Sequence, residues 1–147
     1  MLLPNHDASQ TQAYAASTPL TILENSPEAQ AVSKASIGVT GALFLKNQVK
    51  LLSLPSSPST PVMKSDRSAA VLVHKSEGVV KVGISDPTWE NTGTVNVEIW
   101  PTATGTITGV VSKDARITVV QTTPSLKLAV NVQGAQGGTL TASFTVR

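Results

Sequence analysis

The strictest constraint in this chain is the two-residue alternation in its C-terminal half. In Leu126, Leu128, Val130 and Val132 the apolar side chains fall on one side of an extended backbone, with Lys127 and Asn131 on the other. Leu140, Ala142, Phe144 and Val146 repeat the arrangement. Such a strand has one wet face and one face that has to be hidden. Two sheets of such strands hide their apolar faces only by closing on each other, so the pattern predicts an all-β chain, an antiparallel β-sandwich.

Further runs rich in Val, Ile and Thr, separated by turn residues, place strands at 69–75, 79–85, 93–100, 106–112, 116–122, 126–133 and 140–147. Upstream, Leu20, Ile22 and Leu23 form a brief strand. The run 37–45 forms a largely buried one, with Ile37, Val39, Gly41, Leu43 and Leu45 on one face and Thr40, Ala42 and Phe44 on the other. Two short helices are expected near the N-terminus. The first covers 7–16, with Ser9 as its N-cap and Pro19 as its stop. The second starts at Ser26-Pro27-Glu28, a capping hydroxyl followed by proline and an acid, and runs to about Lys34. The proline-rich stretch 54–61 reads as a loop or edge excursion, since each proline removes a donor and restricts its neighbour. With 147 residues the chain has room for one ordinary domain, or one domain with a remnant of another.

Charge excludes some partners. Eleven Lys and Arg stand against nine Asp and Glu, a formal net charge of +2, and the basic residues are scattered. No nucleic-acid footprint results. Cysteine is absent, which removes disulfides and thiolate chemistry. Met1-Leu2-Leu3-Pro4 is followed by polar residues, so the start reads as neither signal peptide nor membrane span but as an arbitrary beginning inside a strand of a longer parent.

Candidate chemistry is sparse. His6 and His74 have no carboxylate or second histidine at ligand spacing, so neither a metal nor a cofactor is expected. His6 and Tyr14 read as a loop histidine and a packed helix tyrosine rather than as a base and acid. Asp86, Glu90, Glu98 and Asp114 show no spacing that fixes a glycosidase pair. Asp86-Pro87-Thr88 reads as a turn. Gly134-Ala135-Gln136-Gly137-Gly138 reads as a flexible turn with no following helix to hold phosphate. Two residues remain as sugar-stacking candidates. Trp89 either presents its indole face to a pyranose or covers the end of the core, and Trp100 lies opposite Val95, Val97 and Ile99, on the outer face.

Taken in order, Leu2-Leu3-Pro4-Asn5, Thr11 with Tyr14-Ala15, Ile22-Leu23-Glu24-Asn25-Ser26 with Gln30-Ala31-Val32, Gly38-Val39-Thr40-Gly41-Ala42 with Phe44, and Ser85-Asp86-Pro87-Thr88 resemble the C-terminal part of polysaccharide lyase family 8. That family contains hyaluronate, chondroitin AC and xanthan lyases. The resemblance implies that residues 1–19 end a central β-sandwich and its exit segment, and that 20–147 form the C-terminal sandwich. It also implies a secreted parent that cleaves uronate-containing polysaccharide by β-elimination, using Asn, His, Tyr and Arg on a helical domain. None of those positions falls in this chain, so no catalytic residue is assigned and the piece alone is expected to be inactive. Leu45 stands where a second aromatic is expected after Phe44, which leaves hyaluronan, chondroitin and xanthan open as substrates.

The implied partners are the upstream catalytic and central β-domains, with contact to an acidic polysaccharide and no membrane. An extracellular parent and weak self-association of the isolated piece complete the expectation. The alternatives are a stand-alone carbohydrate-binding module, gripping sugar through Trp89 or Trp100 with lysines such as Lys75 and Lys81, and a structural sandwich of an adhesin or phage assembly.

Overall fold

A computed structural model describes residues 7–17 and 20–147. The chain opens with α1 (Ala8–Ser17), then β1 (Thr21–Asn25), β2 (Ala29–Lys34) and β3 (Val39–Phe44). There follow β4 (Lys50–Leu54), β5 (Ser57–Ser65), β6 (Ala69–Ser76), β7 (Val79–Ser85) and β8 (Thr94–Ile99). A single turn of helix, α2 (Pro101–Thr104), leads to β9 (Ile107–Lys113), β10 (Ile117–Gln121), β11 (Leu126–Asn131) and β12 (Leu140–Val146). The strands form a seven-stranded sheet, β1-β2-β3-β6-β7-β12-β9, and a five-stranded sheet, β10-β11-β8-β5-β4. Neighbouring strands pair antiparallel, as in the expected sandwich.

The alternating rows meet between the sheets. Phe44, Val73, Val80, Ile84 and Phe144 come from one sheet and Leu52, Met63, Ile99, Ile117, Leu126 and Leu128 from the other, all essentially inaccessible to water. On β3 the buried face is Thr40, Ala42 and Phe44, and the opposite face of Val39, Gly41 and Leu43 is half-exposed. Ile37 lies outside that strand, at the end of a 3-10 turn closed by Gly38. Gly38 has φ +62°, and a Cβ there would overlap the carbonyl oxygen of Lys75, so only glycine fits.

The expected second helix is instead strand β2. Ser26, Pro27 and Glu28 make a hairpin turn: the Ser26 amide donates to the Ala29 carbonyl at 2.9 Å, and Ser26 Oγ accepts from the amides of Glu28 and Ala29. Beyond it Ala29 and Ala31 are buried while Gln30 and Val32 are exposed, and β2 pairs with β1 on one side and β3 on the other. Two ladders outweigh the helix preference of Ala and Gln. The proline-at-N1 device does appear at Pro101, which starts α2.

The first helix is present, but its cap is Asp7, not Ser9. Asp7 Oδ1 accepts the Gln10 amide at 2.8 Å and Gln10 Oε1 accepts the Asp7 amide at 3.0 Å, a reciprocal box that leaves Ser9 inside the first turn. The bond from the Gln10 amide holds the Asp7 carboxyl below its ordinary pKa. Helix α1 buries no residue. Pro19, His6 and the Leu2-Leu3-Pro4-Asn5 motif, with the strand start read at Met1, lie outside the described residues.

The proline-rich stretch is an edge hairpin rather than a loop. Pro58 and Pro61 sit in the half of β5 that faces only β4, because β8 pairs with β5 no further than Met63–Ser65. A missing amide there costs no bond to β8, and the β4–β5 register shifts around Ser53.

The interdigitated core predicts a steep cost for truncation. Phe144→Ala should lower the unfolding free energy by about 3–5 kcal/mol, read as a shift of the urea midpoint at constant slope. Val120→Ser, on an exposed side chain, should change it by less than about 0.5 kcal/mol.

Candidate functional site

Strand pairing brings two crossovers together at one end of the sandwich. Ile84 pairs with Leu140 in one sheet and Thr94 with Asn131 in the other, so the β7–β8 and β11–β12 connections leave and re-enter the sheets side by side. The first carries Asp86, Trp89 and Asn91. The second carries Gly134, Gln136 and Gly137. These six line a cleft of about 140 Å³.

Asp86 organises the first crossover. Its carboxylate is buried and accepts from Thr88 Oγ1 at 2.7 Å, the Thr88 amide at 3.0 Å and the Asn91 amide at 2.9 Å. Burial pushes its pKa up, but the bonds from the Thr88 hydroxyl and the Asn91 and Thr88 amides outweigh it and leave the carboxyl below the ordinary aspartate value. The expected turn is therefore present, closed by side-chain and backbone donors together.

Asn91 ties this end to the rest of the core. Its Nδ2 donates to the Ser68 carbonyl at 2.9 Å, and Ser68 in turn donates through Oγ to the Phe44 carbonyl and through its amide to Asn47 Oδ1. Asn91 Oδ1 is buried and has no hydrogen-bond partner. That orphaned acceptor was not legible from the sequence, where Asn91 resembles any loop asparagine.

Trp89 stands at the rim, 70% exposed and with φ +61°. A bulky residue in the left-handed region is strained. The indole edge rests on Gly137, where a Cβ would overlap Nε1, so the glycine loop seats the ring. Of the two roles open to it, Trp89 does not cover the core. Trp100 lies beyond the opposite end of β8, half-buried, capping α2. Its amide donates to the Val62 carbonyl and its carbonyl accepts from Ala103. The two tryptophans do not share a platform.

The other candidates serve local structure. Glu98 accepts from Ser125 Oγ at 2.5 Å and lies 3.6 Å from Lys127 Nζ. Asp114 caps its own turn through the Arg116 amide. Glu90 is exposed. His74 pairs across strands with Lys81, while Lys75 pairs with Val80, one position on and therefore on the other face of the sheet. Neither lysine lines the Trp89 cleft. Tyr14 is half-buried on α1. Among the described residues no three His, Cys, Asp or Glu side chains gather as metal ligands, and no helix is long and apolar enough to cross a membrane.

Residues 21–96 match the family model "Polysaccharide lyase family 8, C-terminal beta-sandwich domain". Over 145 residues, 98% of the chain, the sequence is 33% identical to a xanthan lyase of Bacillus sp. (strain GL1), and it spans 14% of that protein's length. The solved Paenibacillus xanthan lyase superposes with a TM-score of 0.85 at 32% identity, over 99% of this chain and 13% of that one. The Streptomyces coelicolor A3 chondroitin AC lyase, solved in complex with chondroitin sulphate, gives 0.77 at 22% identity over 97% of this chain and 17% of that one, a likeness of fold.

Asp86 makes the stability of this end pH-dependent. Its folded pKa lies below the ordinary 3.8, so the unfolded chain takes up the proton first. The stabilisation is complete above that value and is lost as pH falls through the folded pKa. Asp86→Ala should cost roughly 2–3 kcal/mol at neutral pH. Denaturation series at several acid pH values should show that Asp86→Asn flattens the decline seen in the native chain.

Proposed function

Because the chain belongs to polysaccharide lyase family 8, with the sandwich that matches the family's C-terminal domain, we propose that it is the accessory end of a longer secreted enzyme that cleaves uronate-containing polysaccharide by β-elimination, with the reacting groups on other domains. One observation carries this: nearly the whole chain matches a xanthan lyase, yet it spans only 14% of that lyase. The reaction needs a base at C5, a donor for the leaving oxygen and a group that neutralises the carboxylate. Here Tyr14 and His74 lie on separate elements, a helix and a strand of the seven-stranded sheet, and Asp86 is consumed by its own turn.

Residues 20–147 are the domain itself in this proposal, and 1–19 belong to the end of a preceding sandwich and its exit segment. The family match begins at residue 21, and α1 buries nothing of its own. A polymeric substrate too large to cross a membrane has to be met outside the cell, which favours a secreted parent. Hyaluronan, chondroitin and xanthan are the substrate candidates, and the similarity to xanthan lyases supports xanthan first.

The neighbouring domains are the proposed partners. The outer face of the seven-stranded sheet carries Ile22, Val32 and Leu72, all exposed, in one cross-strand row with Gly41 and Gly83. Left bare, an apolar row of this kind associates.

Incubated with each of the three polysaccharides, the isolated chain should generate no unsaturated uronate above a blank, followed by ultraviolet absorbance. Turnover would place the chemistry in this chain and end the accessory reading. Light scattering should show an apparent mass that rises with concentration and falls back towards the monomer in Leu72→Ser.

A further inference from the structure

The cleft beneath Trp89 combines features that a structural end-cap does not need. The indole is exposed where a capping tryptophan would turn inward, and its backbone is held in a strained region. Asn91, only 6% exposed, lines the same cleft and leaves Oδ1 buried without a donor, a group that ordinarily costs about 1–3 kcal/mol. An aromatic face at the rim and an unmet acceptor on a buried residue of the lining call for a ligand with an apolar face and a hydroxyl at its edge. A pyranose ring has both: its C–H face stacks on an indole, and its hydroxyls donate.

Charge narrows the class. None of the lining residues is Lys or Arg, Asp86 is ionised at neutral pH, and Glu90 adjoins Trp89. A carboxylated or sulfated sugar would meet like charge there. The volume of about 140 Å³ is below the roughly 300 Å³ at which drug-sized pockets begin, and suits the edge of one ring rather than a chain segment.

We propose that the cleft between the β7–β8 and β11–β12 crossovers is a subsite for one uncharged sugar unit, with Trp89 stacking on the ring, Asn91 Oδ1 accepting a hydroxyl and Gly137 seating the indole. This goes beyond the accessory role and rests on that role only in expecting a polysaccharide nearby. An uncharged unit held here would tether the polymer without competing for the uronates that an eliminating site must engage.

The chain has two tryptophans, so Trp100→Phe leaves Trp89 as the sole reporter. In that background, cello-, manno- and malto-tetraose should be titrated against tetragalacturonate. At least one neutral sugar should give a saturable fluorescence change in the millimolar range, with tetragalacturonate about tenfold weaker or more. The Asn91 side-chain amide signal in a nitrogen-15 spectrum should move with the sugar, while that of Asn96, bonded to Asp66, stays in place. In otherwise native chain, Trp89→Ala, at an exposed site, should keep the fold and lose the Asn91 response. No saturable response, an equal response in Trp89→Ala, or equal affinity for tetragalacturonate would overturn the subsite, a water on Asn91 Oδ1 then being its partner. Binding failure sinks this inference alone, and elimination by the isolated chain sinks the accessory reading alone.

Discussion

Neither sheet can exist without the other. Each strand presents one apolar row, and those rows lose contact with water only in the gap between the sheets, where Phe44 and Phe144 meet Leu52, Met63 and Ile99. The topology follows from satisfying that requirement with one chain. It crosses between sheets after β3, β5, β7, β8, β9 and β11, so no sheet is completed before the other has begun to cover it. Crossovers collect at the ends of the sandwich as a result. Backbone polar groups there need partners that no ladder supplies.

The polar chain at the Trp89 end is the answer to that need. Asn47, Ser68, Asp86 and Asn91 lie on three different crossovers and bond one another's backbones, so each connection is fixed by its neighbours. Only Asn91 Oδ1 is left over among the described residues. Asn91 shares its cleft with the exposed Trp89, and this is the ground on which the subsite is proposed.

Family membership and local chemistry speak to different questions. The similarity covers the whole sandwich and identifies it as a lyase C-terminal domain, yet the chain corresponds to a small share of those enzymes. Fold and family therefore identify the kind of domain, and what its surface does has to be argued from Trp89, Asn91 and the lining of their cleft, which holds Asp86 and no Lys or Arg.

Much of the architecture was readable from residue order alone. Alternation in 126–132 and 140–146 dictated half-buried strands, since side chains on an extended backbone point to opposite faces whatever they pack against. It also located β7 to the residue, Val79–Ser85. Where local and distant preferences compete, order was not enough. Ser26-Pro27-Glu28 carries a helix-start signal, and only the presence of β1 and β3 on either side turns Ala29–Lys34 into a strand. The prolines of β5 are tolerated because β8 stops short of them, a fact of pairing. The meeting of Trp89, Asn91 and Gly137 was likewise decided in three dimensions. Residues more than forty positions apart become neighbours only when β7 pairs with β12 and β8 with β11, and no local pattern encodes that register.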